Sequence, residues 1–450
     1  MGCSFLWLCL CLLVLHQLSL LITGTAPDAV TRRMDIDVII GGGGDDDGDY
    51  PPEESFDGSP CYSPAPPLPP PPPSIPLNLI RDAVTLQKLA TRIKVDPFGI
   101  VQTWTGSDPC SFAGVKCAVK PGDEGLSVAV VDFNGFLLAG GEDESVSVEG
   151  FIDSLPDISI YHSNSNSFTG SISVTSAVNL YELDLSNNDF VGAFPPNLLQ
   201  AQNLTYLDIR FNQFNGQLPE PVFYLSLDVL FLNNNHFEGE IPKTIGLSPA
   251  YYMNFANNNF SGSIPAGIGK APNLVEVLFL NNHLTGCLPY EIGMLKQLTV
   301  FDAGDNNITG PIPLSFTCLT NLEEFNLARN QLYGSIPEEL CAITTISNIS
   351  LSDNYFTQVG PTCRQLVDMK KIDLRNNCIL DFPEQREPDE CEDFFRSAAS
   401  CAKEWSSGNI PCQAPNSRDQ AQPQPHMSFA KMTSGKTRHI TYNALNAVHG

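Results

Sequence analysis

The groups in this 450-residue chain that could do chemistry are its cysteines, histidines, carboxylates and N-x-S/T asparagines. Catalysis is the first chemistry to weigh. A nucleophile needs a base within reach, and the base needs a partner that orients it. The histidines offer no such company. His16 lies in an N-terminal apolar run, and His426, His439 and His449 sit in a polar stretch at the other end. His236 and His283 each follow a recurring asparagine, where a solvated imidazole is the default, and His162 has no specified nucleophile beside it. Carboxylates number 50 against 24 Lys and Arg, so pairs arise by chance and do not mark general acid–base work. The sequence points to no enzyme and calls for no cofactor. A metal site is no better supported, because Cys110 and Cys117 have no second Cys or His pair near them. What remains is thiol pairing and the four candidate glycan sites Asn203, Asn259, Asn307 and Asn348. Of these, Asn307 and Asn348 are expected to be too packed for use.

These groups must be held in place by a chain that is periodic. From residue 151 to 379 one pattern recurs: L-x-x-L-x-L-x-x-N-x-F/L-x-G-x-I-P. Leu204-x-x-Leu207-x-Ile209-x-x-Asn212-x-Phe214-x-Gly216-x-Leu218-Pro219 is nearly complete, as is Leu322-x-x-Phe325-x-Leu327-x-x-Asn330-x-Leu332-x-Gly334-x-Ile336-Pro337. The glycines recur at 170, 192, 216, 239, 262, 286, 310 and 334, a period of 22 to 24. This is the leucine-rich repeat signature. The Leu-x-Leu segment predicts a short strand with both apolar side chains inward. The asparagine closes the coil by bonding backbone groups of neighbouring turns, and the ladder runs Asn166, Asn188, Asn212, Asn235, Asn258, Asn282, Asn306, Asn330, Asn354 and Asn377. One coil cannot bury its apolar side alone, so the stack must be continuous and capped. The expectation is an α/β solenoid, a right-handed superhelix of about ten repeats with a cap at each end. The first copy is degenerate, with Ser163 at a core position. In the sixth, Leu278 and Leu280 compete with Leu274, Val277 and Phe279 for the interior.

Strand alternation leaves the residues between core positions on the concave side. They include Glu182, Asp184, Tyr206, Asp208, Phe231, Tyr252, Asn254, Glu276, Asp302 and Glu324. The reading is a carboxylate groove with exposed aromatics at its centre, Phe231 and Tyr252. Residues 126 to 362 hold 24 Asp and Glu against 5 Lys and Arg. Such walls steer a cationic partner. The blander reading of Asp184 and Asp208 is that they only bond their strand neighbours. The net charge of −26 argues against nucleic acid, whose phosphates need Lys and Arg.

Composition divides the rest. Residues 1–26 read as a secretory signal: an apolar run from Phe5 to Ile22, then the small-residue stretch Gly24-Thr25-Ala26. Once it is removed, no segment is long and apolar enough to span a membrane. Residues 27–76 are a disordered linker with Gly, acidic and Pro runs. Residues 77–125 form an N-terminal cap, opened by Leu79, Ala83, Leu86, Ala90 and Ile93 at helical spacing. The repeats fill 126–380, a cysteine-rich cap 381–412, and a polar tail 413–450. Removing Cys3, Cys9 and Cys11 with the signal from a total of 14 leaves an odd number of cysteines in an oxidising compartment. Cys318 and Cys341 lie at nearly equivalent places in adjacent coils and are a candidate pair. Cys287 has Ser263 and Pro311 one coil away and reads as a buried free thiol. Cys363, Cys378, Cys391, Cys401 and Cys412 staple the second cap, although five cannot pair among themselves. Cys61, alone in the linker, bonds either a cap cysteine or a second chain, which would make a disulfide-linked dimer.

The G-x-I-P half of the repeat resembles plant extracellular leucine-rich repeats. The run Trp104-x-Gly106-Ser107-Asp108-Pro109-Cys110 to Gly114-Val115-x-Cys117 resembles their N-terminal cap, which implies a Cys110–Cys117 bridge. Together with Ile93-Lys94-x-Asp96-Pro97-Phe98, Phe190-Val191-Gly192-x-Phe194-Pro195, Leu284-Thr285-Gly286-Cys287-Leu288-Pro289, Thr299-Val300-Phe301-Asp302 and the C-terminal cysteines, these strings resemble the leucine-rich repeat extensins of plant cell walls over about residues 75 to 412. The resemblance implies a secreted protein of the cell wall or apoplast. It also implies binding of rapid alkalinization factor peptides, which are small, cationic and cysteine-rich, in cell-wall integrity or growth signalling. The chain departs from that family after residue 412, where Ser-Pro repeats with Tyr are missing, so an extensin-less member is expected. Two other roles stay open: inhibition of secreted wall-degrading enzymes, and a structural part bound to a wall polysaccharide.

Overall fold

The computed structural model describes residues 75–119, 125–141, 144–174 and 179–401. The signal segment, nearly all of the linker with Cys61, the end of the second cap with Cys412, and the tail lie outside the described residues. The first helix, Leu77–Ala90, follows Pro76 and buries Leu79, Ala83, Leu86 and Leu89, one stripe at i, i+4, i+7 and i+10. It also buries Asp82, whose Oδ2 accepts the Val128 N–H at 3.4 Å. That contact ties the helix to the first coil.

The next strand, Val115–Val119, pairs antiparallel with Leu126–Asp132. From there ten further strands add in parallel, in chain order, to Ile372–Asp373, making one twelve-stranded sheet. Each repeat contributes three residues, as in Tyr206–Asp208, Val229–Phe231 and Tyr252–Asn254, paired in register. A second, eight-stranded parallel sheet runs along another side of the stack, from Val191–Ala193 to Tyr355–Gln358. It is built from the N-x-F/L-x-G half of the repeat. The glycines at 192, 216, 239, 262, 286, 310 and 334 all have positive φ there, as does Gly170 after Phe168–Thr169, which pairs with Val146–Ser147, and this explains their period. Between the sheets lies a continuous apolar core in which Phe190, Phe214, Phe237 and Phe260 stack at 6.2, 6.3 and 6.2 Å between ring centres.

The ladder is present. Asn212 Nδ2 donates to the carbonyls of Leu185, Ile209 and Arg210 at 2.9, 3.1 and 3.1 Å, and its Oδ1 accepts the Phe190 N–H at 3.0 Å. The same set recurs at Asn282, with Phe255, Phe279, Leu280 and Phe260 as partners. Each buried amide thus ties its own coil to the one before it, in place of backbone bonds that a tight corner cannot make. Segments following the I-P motif, such as Tyr290–Met294, are single 3-10 turns rather than α-helix. Two strands per coil leave only five residues for that side, and the turns stack closely: a Cβ on Gly293 would collide with the Ser315 carbonyl. Among the described repeats, this side turns α-helical only toward the end, at Glu338–Cys341 and Pro361–Asp368. In the sixth repeat Leu274, Val277 and Phe279 take the core, and Leu278 and Leu280 stay on the concave side with Ala256 and Val300.

Cys110 and Cys117 are bridged, as the N-terminal cap resemblance implies. Two cysteine expectations are corrected. Cys341 bonds Cys363, the equivalent site in the following coil, not Cys318, which is itself disulfide-bonded. Cys287 is not a free thiol; it bonds Cys401, 114 residues on. The reason is the path of the second cap. Helix Pro388–Ser397 lies against the second sheet through Phe394, stacked on Tyr355 with ring centres 3.6 Å apart. The Tyr333 hydroxyl then donates to Ala399 O, and the chain reaches Cys287 across Gly310, where any side chain would strike the Cys401 sulfur. The cap closes with Cys378–Cys391.

Two expectations follow. Replacing Asn282 by Ala removes three donated bonds and orphans a buried N–H. It should lower stability by roughly 2–4 kcal/mol in urea unfolding, whereas the exposed His283→Ala should change it by less than about 0.5 kcal/mol. Non-reducing peptide mapping should recover Cys287 linked to Cys401 and Cys341 linked to Cys363; a Cys318–Cys341 peptide contradicts the cap path.

Candidate ligand-binding face

In-register parallel strands place like positions of successive repeats beside one another, so the concave side reads as rows. One row runs Ile160, Glu182, Tyr206, Val229, Tyr252, Glu276, Val300, Glu324, Asn348. The next runs His162, Asp184, Asp208, Phe231, Asn254, Leu278, Asp302, Asn326, Ser350. All ten candidate ligand-binding residues stand in these two rows, so the fold does bring them together.

Their exposure differs from the sequence expectation. Phe231 and Tyr252 are not exposed aromatics; they are 3% and 8% accessible. Neighbours in a row are one strand spacing apart, about 4.8 Å, and large side chains at that spacing cover each other. Phe231 and Tyr252 therefore join Val229 and Val275 in an apolar cluster, with Tyr206 and Tyr251 partly covered at its edge. Tyr251 and Val275 were not legible as part of this surface, because they precede their strands.

The carboxylate groove is corrected too. Asp184, Asp208 and Asp302 are buried, and each Oδ1 accepts the N–H two residues on, from Ser186, Arg210 and Gly304 at 2.9, 3.1 and 2.9 Å. Asn254 and Asn326 make the same bond to Ala256 and Ala328 at 3.0 Å. Asp and Asn in this row close the turn as each strand ends. Asp208 is also capped by Arg210, whose Nε lies 3.0 Å from its Oδ2 and whose guanidinium sits 5.3 Å from the Phe231 ring centre. Burial, reinforced by the Asp184 charge, pushes the Asp208 carboxyl up to about 8. Burial and then Asp302 push Glu276 up to about 7. The charge open to solvent on these rows comes from Glu182 and Glu324, which are only half-buried. Glu182 holds His162 at 3.0 Å. Burial disfavours the His162 cation, but that bond with Asp184 and Asp132 overrides it and holds the imidazole above its usual range. In the floor, Asn233 Oδ1 and Asn254 Nδ2 are buried without a hydrogen-bond partner among the described residues. The face can therefore offer an apolar floor, two amide groups and charged rims. Among the described residues no group of His, Cys, Asp and Glu could hold a metal ion, and no helix is long and apolar enough to cross a membrane.

Comparison with known proteins fits this architecture. The Leucine rich repeat N-terminal domain matches residues 79–118, and the Leucine Rich Repeat matches 179–201, 203–225, 226–247 and 321–343. Leucine-rich repeat extensin-like protein 1 of Arabidopsis thaliana is 38% identical over 106 residues, which is 23% of this chain and 13% of that protein. Leucine-rich repeat extensin-like protein 2 of the same plant is 36% identical over 93 residues, 20% of this chain and 11% of the relative. Over these stretches the chain is similar to leucine-rich repeat extensin-like proteins. The matched stretches are a small part of those relatives' lengths.

Among solved structures, the PEPR1-AtPEP1 complex has a TM-score of 0.51 and 27% identity, covering 66% of this chain and 48% of that one. The ectodomain of the Arabidopsis receptor kinase HAESA, in complex with an N-terminally extended IDA peptide hormone ligand, has a TM-score of 0.51 and 25% identity, covering 67% and 54%. A plant ice-binding protein, at 21% identity and TM-score 0.53 over 68% and 98%, shares the fold alone. The chain is a leucine-rich repeat protein. Its disulfides fit secretion, and the matching family models indicate no catalytic family.

Glu276 gives this face a pH signature. Its folded-state pKa of about 7 lies above the ordinary 4.5. Between those values the folded chain holds a proton that the unfolded chain releases, so its contribution to stability falls as pH rises through that window. Glu276→Gln copies the protonated form. Thermal melts should show it near wild type at pH 4–5 and more stable than wild type at pH 8, by on the order of 1–3 kcal/mol. An equal offset at both pH values contradicts the burial argument.

Proposed function

We propose that the chain binds a small secreted cationic peptide, cysteine-rich and of the rapid alkalinization factor type, on its concave face. Its place is the plant cell wall or apoplast, and its role lies in cell-wall integrity or growth signalling. The observation that carries this reading is the arrangement of the face itself: an apolar floor at Val229, Phe231, Tyr252 and Val275, with Glu182 toward one end and Glu324 toward the other, and the buried Glu276 beside Tyr252. An amphipathic cationic chain fits that pattern, apolar side chains on the floor and Lys or Arg at the rims. The peptide hormone ligand of the similar HAESA ectodomain supports it. Because Asp184, Asp208 and Asp302 are tied into turns, they are read as shaping the site, not as contacts.

Inhibition of a secreted wall-degrading enzyme would use the same fold against a larger partner. A polysaccharide role would set an acidic protein against acidic pectin unless calcium bridged them. Neither needs an apolar floor. The four sequons and a dimer through Cys61 belong to this secreted setting.

The test is surface binding of a synthetic cationic cysteine-rich peptide to the full chain. Affinity should fall as salt rises, because exposed charges are screened over about 10 Å at 0.1 M. Glu182→Gln with Glu324→Gln should slow association several-fold and flatten the salt dependence. Tyr206→Ala, at the edge of the floor, should speed dissociation, at a cost of about 1–3 kcal/mol. Affinity that ignores salt and all three substitutions would overturn the assignment of this face.

A further inference from the structure

Asn348 is the one sequon asparagine of the four that the fold brings onto the concave sheet. Asn259 and Asn307 open strands of the second sheet, and Asn203 lies in the turn before Tyr206–Asp208. All four are exposed, which corrects the expectation that Asn307 and Asn348 are too packed to be used. Strand Asn348–Ser350 buries Ile349 in the core, so Asn348 and Ser350 face the concave side. Asn348 stands opposite Glu324, and its backbone N–H goes to Glu323 O at 3.2 Å.

The row it ends changes character along its length. Val229, Tyr252, Glu276 and Val300 are buried, Glu324 is half-buried and Asn348 is open. The neighbouring positions there are polar as well: Asn326, Ser350 and Asp373 follow the apolar Leu278. The face therefore runs from an apolar centre to a hydrophilic end that carries a free amide within an N-x-S motif.

We propose that Asn348 carries an N-linked glycan that covers this end of the concave face and confines a bound partner to the coils before it, so that Glu324 steers the partner through its field and not by direct contact. The transfer forms a bond from Asn348 Nδ2 to the anomeric carbon of a lipid-pyrophosphate-linked oligosaccharide. Nδ2 loses one proton, and the lipid pyrophosphate leaves with the bonding pair. At about 4.8 Å per strand, Glu324 lies roughly 5 Å away, Val300 roughly 10 Å and Glu276 roughly 14 Å. A branched glycan of several sugars spans the first two and reaches toward the third. Sugars, being hydrophilic, suit Glu324, Asn326 and Ser350 and leave the apolar floor to the ligand.

This inference rests on the secreted reading, and one experiment separates the two. The full chain is expressed with its own N-terminus in plant cells, collected from the medium and mapped by glycopeptide mass spectrometry. Asn348 should be occupied. Carbodiimide labelling of Glu324 should rise several-fold in both Asn348→Gln and Ser350→Ala, the second of which keeps the asparagine but destroys the motif. Glycans on Asn259 or Asn307 with Asn348 bare would overturn the proposal and leave secretion standing. No glycan at any of the four would likewise overturn the proposal alone, whereas a chain that never reaches the medium would overturn both. An occupied Asn348 with Glu324 labelling unchanged in the two variants would overturn the covering role.

Discussion

The structure depends on how buried backbone groups find partners at the corner where each strand turns toward the second sheet. Coils stacked at strand spacing leave no room for water there, and an unpaired amide or carbonyl costs about 1–3 kcal/mol. One asparagine per coil resolves this. At Asn330, Nδ2 donates to carbonyls of its own coil and of the coil before, and Oδ1 accepts from Ile308. Ten such groups in line make adjacent coils interdependent, so the sheet, and with it the concave face, is held as one surface.

That surface is then shaped by the same economy of partners. Aspartates and asparagines at the ends of the concave strands take the N–H two residues on. They look like a charged wall in sequence, but they are the means by which each strand ends. The charge available for encounter is smaller and sits at the rims, whereas the contact energy must come from the apolar centre. On the proposed reading, the face separates steering from holding.

Much of this was legible beforehand. The 22-to-24-residue period, the ladder asparagines and the glycines fixed the stack, because each marks a backbone requirement that only that residue meets. The facing of Phe231 and Tyr252 was legible as well, from alternation. Their burial was not: it depends on what stands one strand away, 23 residues distant in sequence, and on side-chain size there. The Cys287–Cys401 bond was hidden for a similar reason. Comparing neighbouring coils tests only partners within the stack, and Cys401 arrives from a cap that folds back over the second sheet. Cys341 was placed in the right series but joined to the following coil instead of the preceding one.

The central claim is that ligand sits on the apolar centre of the concave face. Hydroxyl-radical footprinting of the full chain, free and saturated with a synthetic cationic cysteine-rich peptide, tests it most directly. Tyr206 and Tyr251 border that centre and are partly open in the free protein, so their oxidation should fall on binding. Tyr224, exposed on a 3-10 turn, should not change. Unchanged Tyr206 and Tyr251, with protection instead at Phe395 on the second cap or Val84 on the first helix, would contradict the account.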